Sequence, residues 1–328
     1  MRIAVTGSIA TDHLMTFGGR FSDSLVPDQL QKVALSFLVD DLQIRRGGVG
    51  ANIAFGLGCL GLSPVLVGAA GEDVEDYRRW LLAHGVDCSG VRISTTRHTA
   101  RFVVTTDQVQ AQIASFYPGA MQEAREIDIA ALAAASGGFD LVLVGADDPE
   151  AMRRHTRGCR DAGIPFAADP SQQLAWADGE LIRDLVEGAA YLFSNDYEAA
   201  LITRKTGWSA EEVLDRVGTR VVTHGADGVV ISRRGEPDVR VGVVPAREVV
   251  DPTGVGDAFR AGFLAGLAWN VGLERAAQLG ALLATGVLET TGTQEYRIDV
   301  EGAVTRLTEA FGEQPAQDLS VHLRALAR

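Results

Sequence analysis

Lysine is almost missing from this 328-residue chain: Lys32 and Lys205 stand against 28 arginines. No Gly-Lys pair occurs. This excludes the G-x-x-x-x-G-K-[ST] loop, whose lysine reaches the terminal phosphates of a nucleotide. A G-x-G-x-x-G turn after the first strand is also missing, since that strand runs into Thr6-Gly7-Ser8-Ile9. Its absence argues against a dinucleotide-binding oxidoreductase. The protein-kinase motif set is absent too. Cysteine is limited to Cys59, Cys88 and Cys159, odd in number, widely spaced and without a C-x-x-C. A disulfide framework or zinc site is not expected, and a reducing compartment, the cytoplasm, is. The six histidines show no metal-ligand spacing. No run of about 18 apolar residues exists, so no membrane span is expected. The opening MRIAVTGSIA is too short in its apolar run for a signal segment and reads as a first strand. Positive charge is in deficit, with a net charge of -13. That balance argues against nucleic-acid backbones and anionic membranes as partners.

What is present is an alternation of short β-branched runs and amphipathic segments. Strands are expected at Ile3–Thr6, 64–68, Leu141–Val144, 165–168, 190–193 and 220–223. Helices are expected at 51–60, 73–83, 149–161, from Asp196 onward, and in the tail from residue 313. Near-continuous apolar strands separated by helices predict an α/β fold, a doubly wound and mostly parallel sheet with ligands at the carboxyl ends of its strands. Two segments break the rhythm. Residues 11–46 contain no convincing long helix, and 101–106 with 111–116 reads as a hairpin. The expected division is a discontinuous core (1–10, 47–96 and 119–328) and a small β lid (11–46 and 97–118). The alternative for the lid is an edge extension of the main sheet.

The strongest chemical signal is Asp251-Pro-Thr-Gly-Val-Gly-Asp257, followed by an amphipathic helix. Two glycines at a helix start let backbone N–H groups converge on an anion, and the helix dipole adds positive potential there. Gly254, Val255 and Gly256 are thus candidates for an anion hole that needs no lysine. Asp257 would sit beside the bound anion, where accepting a proton from an attacking hydroxyl gives a carboxylate a task. A simple capped helix start is the competing explanation.

This segment resembles the second signature of the ribokinase/PfkB carbohydrate kinases. Arg46-Gly47-Gly48-Val-Gly-Ala-Asn52 resembles the first signature, Asn195-Asp-Tyr-Glu198 the N-x-x-E motif, and Val222-Thr223-His-Gly225-Ala-Asp-Gly228 the nucleotide-binding turn. Within the family, the likeness is greatest to bacterial ribokinase-type adenosine kinases. Residues 4–13, 36–41, 112–121 and 168–173 carry it. The resemblance implies an ATP:adenosine 5′-phosphotransferase of purine salvage, with Mg²⁺ and ATP. It implies adenosine contacts from Ser8, Asp12, Ser36, Gly48, Asn52, Phe102, Phe116, Gln172 and Gln173, with Asp12 and Asn52 on the ribose hydroxyls and the phenylalanines stacked on the purine. It assigns Asn195, Thr223, Gly225, Gly228 and Gly256 to ATP, and Glu198 to Mg²⁺ through water. It also allows Thr290–Gln294 to form a monovalent cation (K⁺) site with the loop at Asp251. Exposed lid strands invite a second copy to pair, so a homodimer through the lid is an expectation.

Some of these roles have physical support of their own. Asp12 follows the first strand, and a carboxylate suits a vicinal diol, although a turn-forming aspartate would look the same. Phe102 and Phe116 lie on opposite hairpin arms and could face one base, or only each other. A kinase for another nucleoside, a ribose or fructose kinase, and a non-catalytic nucleoside binder stay open.

Overall fold

The computed structural model describes residues 1–24 and 36–326. Lys32 and part of the expected lid segment lie outside the described residues. Thirteen strands are described, in two sheets. The larger is built from β1 (Ile3–Thr6), β4 (Val65–Gly71), β5 (Asp87–Ser94), β8 (Leu141–Val144), β9 (Phe166–Ala168), β10 (Tyr191–Asn195), β11 (Thr219–Thr223), β12 (Val229–Ser232) and β13 (Val239–Val241). Their order is β13-β12-β11-β10-β9-β8-β1-β4-β5. The pairs from β5 to β11 are parallel, and β12 and β13 add an antiparallel edge.

Side chains of a strand alternate between faces, and here each face buries its own core. Ile3, Val5, Leu66, Leu141 and Leu143 join one core with helices Val49–Cys59, Val255–Ala268 and Leu273–Leu288. Ala4, Val65, Val67, Val142 and Val144 join the other with helices Pro149–Asp161, Gly179–Val186 and Asp196–Thr206. The near-continuous apolar strands follow from that two-sided burial.

The second sheet contains β2 (Ala10–Thr16), β3 (Asp41–Gly47), β6 (Ala100–Thr106) and β7 (Gln112–Tyr117), in the order β3-β2-β6-β7. It is a separate sheet rather than an edge of the first. β2 pairs parallel with β6, which a hairpin reading alone does not foresee. β5, β12 and β13 were also not apparent from the pattern: β5 carries Gly90 and exposed polar residues, and the other two are short antiparallel strands at one end of the sheet. All three cysteines are unpaired. Among the described residues, no helix is long and apolar enough to cross a membrane.

Helix Val255–Ala268, which starts at the candidate site, is seated by small residues. A Cβ on Gly262 would lie 2.7 Å from the Gly280 Cα, and one on Gly56 would lie 2.6 Å from the Ala261 Cβ. Overpacking at such a crossing costs about 1–3 kcal/mol. Gly262→Ala is therefore expected to lower stability by that amount, read from the midpoint of urea unfolding; an unchanged midpoint contradicts the tight seating.

Candidate active site

β1 lies between β4 and β8, so the chain departs from it to both sides and a crevice opens at the carboxyl ends of β1 and β8. Ser8 stands on that rim. Its N–H donates to the Ala146 carbonyl at 3.0 Å, and its Oγ accepts from the Val49 N–H at 3.0 Å. Gly48 caps helix Val49–Cys59 with φ +95°, and a Cβ there would fall 2.5 Å from the Ser8 carbonyl oxygen, so only glycine fits.

Gly254 caps helix Val255–Ala268 in the left-handed conformation, φ 76°, with no side-chain capping bond. The first-turn N–H groups of a helix lack intrahelical partners, so Val255, Gly256 and Asp257 present amides with positive potential behind them. Asp251 shapes the preceding turn: Oδ1 accepts from the Thr253 N–H at 2.9 Å and Oδ2 from the Gly292 N–H at 3.2 Å.

Asp257 lies in that first turn, partly buried, and its Oδ2 accepts from Asn52 Nδ2 at 2.8 Å. Burial pushes its pKa from 3.8 up to about 7. The Asn52 hydrogen bond and the Arg260 charge oppose the rise, while Asp169 and Glu198 add to it. A base is most effective with a pKa near the working pH.

Arg260 was not picked out from the sequence. It is buried on the same helix, its Nη2 donating to Asp169 Oδ1 at 2.7 Å and its Nε lying 2.5 Å from Oδ2. Its Nη1 donates to the Gly256 carbonyl at 3.1 Å, and Nη2 lies 4.0 Å from Glu198. The available signal was a lone arginine, three residues after Asp257, in an otherwise apolar helix.

A cavity of about 740 Å³ extends from Asp257. Asn195, Glu198, Thr223, Gly225 and Gly228 line it, with Gly254, Val255 and Gly256, and Val243, Val244, Val249 and Leu288 give it apolar surface. Asn195 and Glu198 also form a capping box: Asn195 Oδ1 accepts from the Glu198 N–H and Glu198 Oε2 from the Asn195 N–H, both at 2.8 Å. The N-x-x-E spacing thus has a structural task as well as a place in the cavity wall. Gln172 lines the same cavity. Gln173 parts from it, donating from Nε2 to the Asp147 carbonyl at 2.8 Å.

The second sheet supplies a row of register-matched residues. Arg45 on β3 pairs with Asp12 on β2, Asp12 with Phe102 on β6, and Phe102 with Phe116 on β7. Directly paired residues share a face of a sheet, so a cation, a carboxylate and two aromatic residues belong to one face. Burial and the charge of Asp251 raise the Asp12 pKa from 3.8 to about 6, against the lowering by Arg45. Ser36 is exposed, and no hydrogen bond joins it to this set among the described residues. In the C-terminal motif, Gln294 Nε2 donates to Asn52 Oδ1 at 2.9 Å, and the single Thr293 hydroxyl proton is shared between that oxygen, at 2.9 Å, and the Arg46 carbonyl, at 3.0 Å. These two side chains therefore face Asn52.

Residues 11–299 match the pfkB family carbohydrate kinase. The nucleoside kinase of Burkholderia thailandensis, solved with inosine, is 35% identical with a TM-score of 0.82, covering 94% of this chain and 99% of that one. The same protein with ADP and inosine gives 36% and 0.78, covering 94% and 96%. The nucleoside kinase of Methanocaldococcus jannaschii is 28% identical over 263 residues, covering 80% of this chain and 85% of its own length.

Proposed function

Because the chain belongs to the pfkB family of carbohydrate kinases, we propose that it transfers the γ-phosphoryl group of ATP to the ribose 5′-hydroxyl of a nucleoside, with adenosine as the preferred acceptor. The observation that carries this reading is the position of Asp257. It stands in the first turn of a helix that has no side-chain cap, at the end of the nucleotide-sized cavity, held by Asn52.

ATP occupies the cavity along Asn195, Thr223, Gly225 and Gly228, its terminal phosphate at the amides of Val255 to Asp257. The nucleoside lies under the lid row, its diol at Asp12 and its base against Phe102 and Phe116. Asp257 takes the 5′-hydroxyl proton as that oxygen attacks the γ-phosphorus in line and the bond to the β-phosphate oxygen breaks. The helix amides stabilise charge on the transferring group. The lid excludes water, which would otherwise compete as acceptor. Acceptor preference for adenosine rests on the likeness of residues 4–13, 36–41, 112–121 and 168–173 to bacterial adenosine kinases.

Among the described residues, no three His, Cys, Asp or Glu converge on a metal position. That fits Mg²⁺, which keeps several waters and binds nucleotide phosphates directly. Glu198 would hold a metal-bound water, and the ion would supply charge neutralisation on the phosphates. We also place the protein in the cytoplasm, consistent with three free thiols. A homodimer through the lid is supported by exposed Leu42 and Ile44 on β3 and Ile113 and Tyr117 on β7.

The test is Mg·ATP turnover against a panel of adenosine, inosine, cytidine, ribose and fructose. Adenosine is expected to give the highest kcat/KM. A higher value for ribose or fructose overturns the nucleoside assignment, and no turnover with any acceptor overturns the kinase reading.

A further inference from the structure

Asp257 does not meet Asn52 by chance of rotamer; a directed chain of hydrogen bonds sets the contact. It starts at Gly47, the last residue of lid strand β3, whose carbonyl accepts from the Tyr77 hydroxyl at 2.9 Å. With its only proton spent there, the Tyr77 oxygen is left as an acceptor. Gln294 Nε2 donates to it at 2.5 Å and, with its other proton, to Asn52 Oδ1 at 2.9 Å. Thr293 Oγ1 reaches the same Asn52 oxygen at 2.9 Å. The Gln294 N–H on Oδ1 and the Asp257 carboxylate on the other side settle which way the Asn52 amide points, so Nδ2 faces Asp257 and donates to Oδ2 at 2.8 Å. Every link beyond the carboxylate is buried: Tyr77 is 5% exposed, Asn52 7%, Thr293 6% and Gln294 1%.

We propose that Tyr77 and Gln294 are positioning residues for the phosphoryl-transfer reaction, locking Asn52 so that it holds Asp257 Oδ2 and leaves Oδ1 free to take the acceptor proton. Neither residue touches the cavity; both act through Asn52. The chain also ties the base to the lid, because its first acceptor is the last residue of a lid strand. Asn52 keeps a second N–H, so a ribose contact and the contact to Asp257 are compatible. The inference rests on the kinase reading above and adds to it a second layer of residues, from the helix Glu75–Ala83 and the C-terminal motif, that the sequence did not connect with the base.

Other charges face Asp257 from every side: Arg260 on its own helix, Asp169 after β9, Glu198 on helix Asp196–Thr206, and Asp12 and Arg46 around Tyr77. None of them changes when the chain is cut at Gln294 or Tyr77. A buried donor favours the charged carboxylate, so loss of a fixed Asn52 contact moves the titration of Asp257 to higher pH.

The experiment compares Gln294→Leu, which keeps most of the volume but removes the amide, with Tyr77→Phe, which keeps the ring and removes the hydroxyl. In both, the acid limb of the kcat–pH profile is expected to move up by on the order of half to one pH unit. The nucleoside KM should change less than about twofold, since uniform binding is untouched. The Asp257 carboxyl, followed by ¹³C NMR and assigned with Asp257→Asn, should shift its midpoint in the same direction; this reading needs no substrate. A kcat lowered evenly at all pH values, with the limb and the carboxyl midpoint unmoved, overturns the positioning role. If the wild-type protein turns over no acceptor, the kinase reading fails on its own, while the carboxyl titration still decides the chain of hydrogen bonds.

Discussion

Asp257→Asn lowers kcat for nucleoside phosphorylation by about 10²–10⁴-fold, the contribution a positioned general base makes. The substitution is close to isosteric, and the new side-chain oxygen can still accept from Asn52 Nδ2, so the helix start and the anion hole keep their shape. Nucleotide affinity should therefore stay near the wild-type value in a binding measurement, separating the base from the site around it. Stability should move the other way. The folded pKa of Asp257 is raised from 3.8 to about 7, so its stabilising contribution is present below about pH 4 and is lost as pH rises through 7. At pH 8 the wild-type protein carries a partly buried carboxylate that asparagine lacks, and Asp257→Asn should melt at the higher temperature. At pH 5 the difference should shrink. A variant with near-normal turnover removes Asp257 as the base.

Arg260→Met carries the second large effect. Its guanidinium is held by Asp169 through two contacts, and both side chains are almost wholly buried, at 6% and 0% exposed. Removing the arginine leaves the Asp169 carboxylate uncompensated in the interior, beside Glu198, at a cost of about 3–5 kcal/mol. The sign follows from desolvation: a buried pair contributes little against an apolar replacement, but half a pair is expensive. Combining Arg260→Met with Asp169→Leu should therefore recover most of the loss in chemical denaturation. If the single variant unfolds at the wild-type denaturant midpoint, the buried pair is not the support of the helix start that the geometry indicates. The same variant also removes a charge that lowers the Asp257 pKa, so any residual activity should need a higher pH.

Much of the fold was legible because it follows from local rules. Leu141–Val144 and Pro149–Asp161 form as read, the strand from its apolar run and the helix from its proline start and its capping Asp148. Asp257 was singled out because two glycines before a carboxylate at a helix start mark a place where backbone amides converge, and it does lie in that first turn on the cavity wall. The second sheet was legible only in part. Its hairpin is a local feature, but the parallel pairing of β2 with β6 joins segments about ninety positions apart, and no local pattern encodes it. The same limit hid the surroundings of Asp257. Arg260 with Asp169, and Tyr77 with Gln294 and Asn52, are pairs brought together by tertiary packing. Each residue alone looks like an ordinary polar position. The N-x-x-E spacing shows the opposite case, a motif whose residues are also explained by a capping box.

The pH dependence of kcat/KM for adenosine, measured from about pH 5 to 9, tests the central claim most directly. The account predicts that kcat/KM rises with pH to a plateau, with a midpoint near the ligand-free Asp257 pKa of about 7, and that this limb is lost in Asp257→Asn. A wild-type profile that is flat across pH 7, or a limb that persists in the variant, contradicts it.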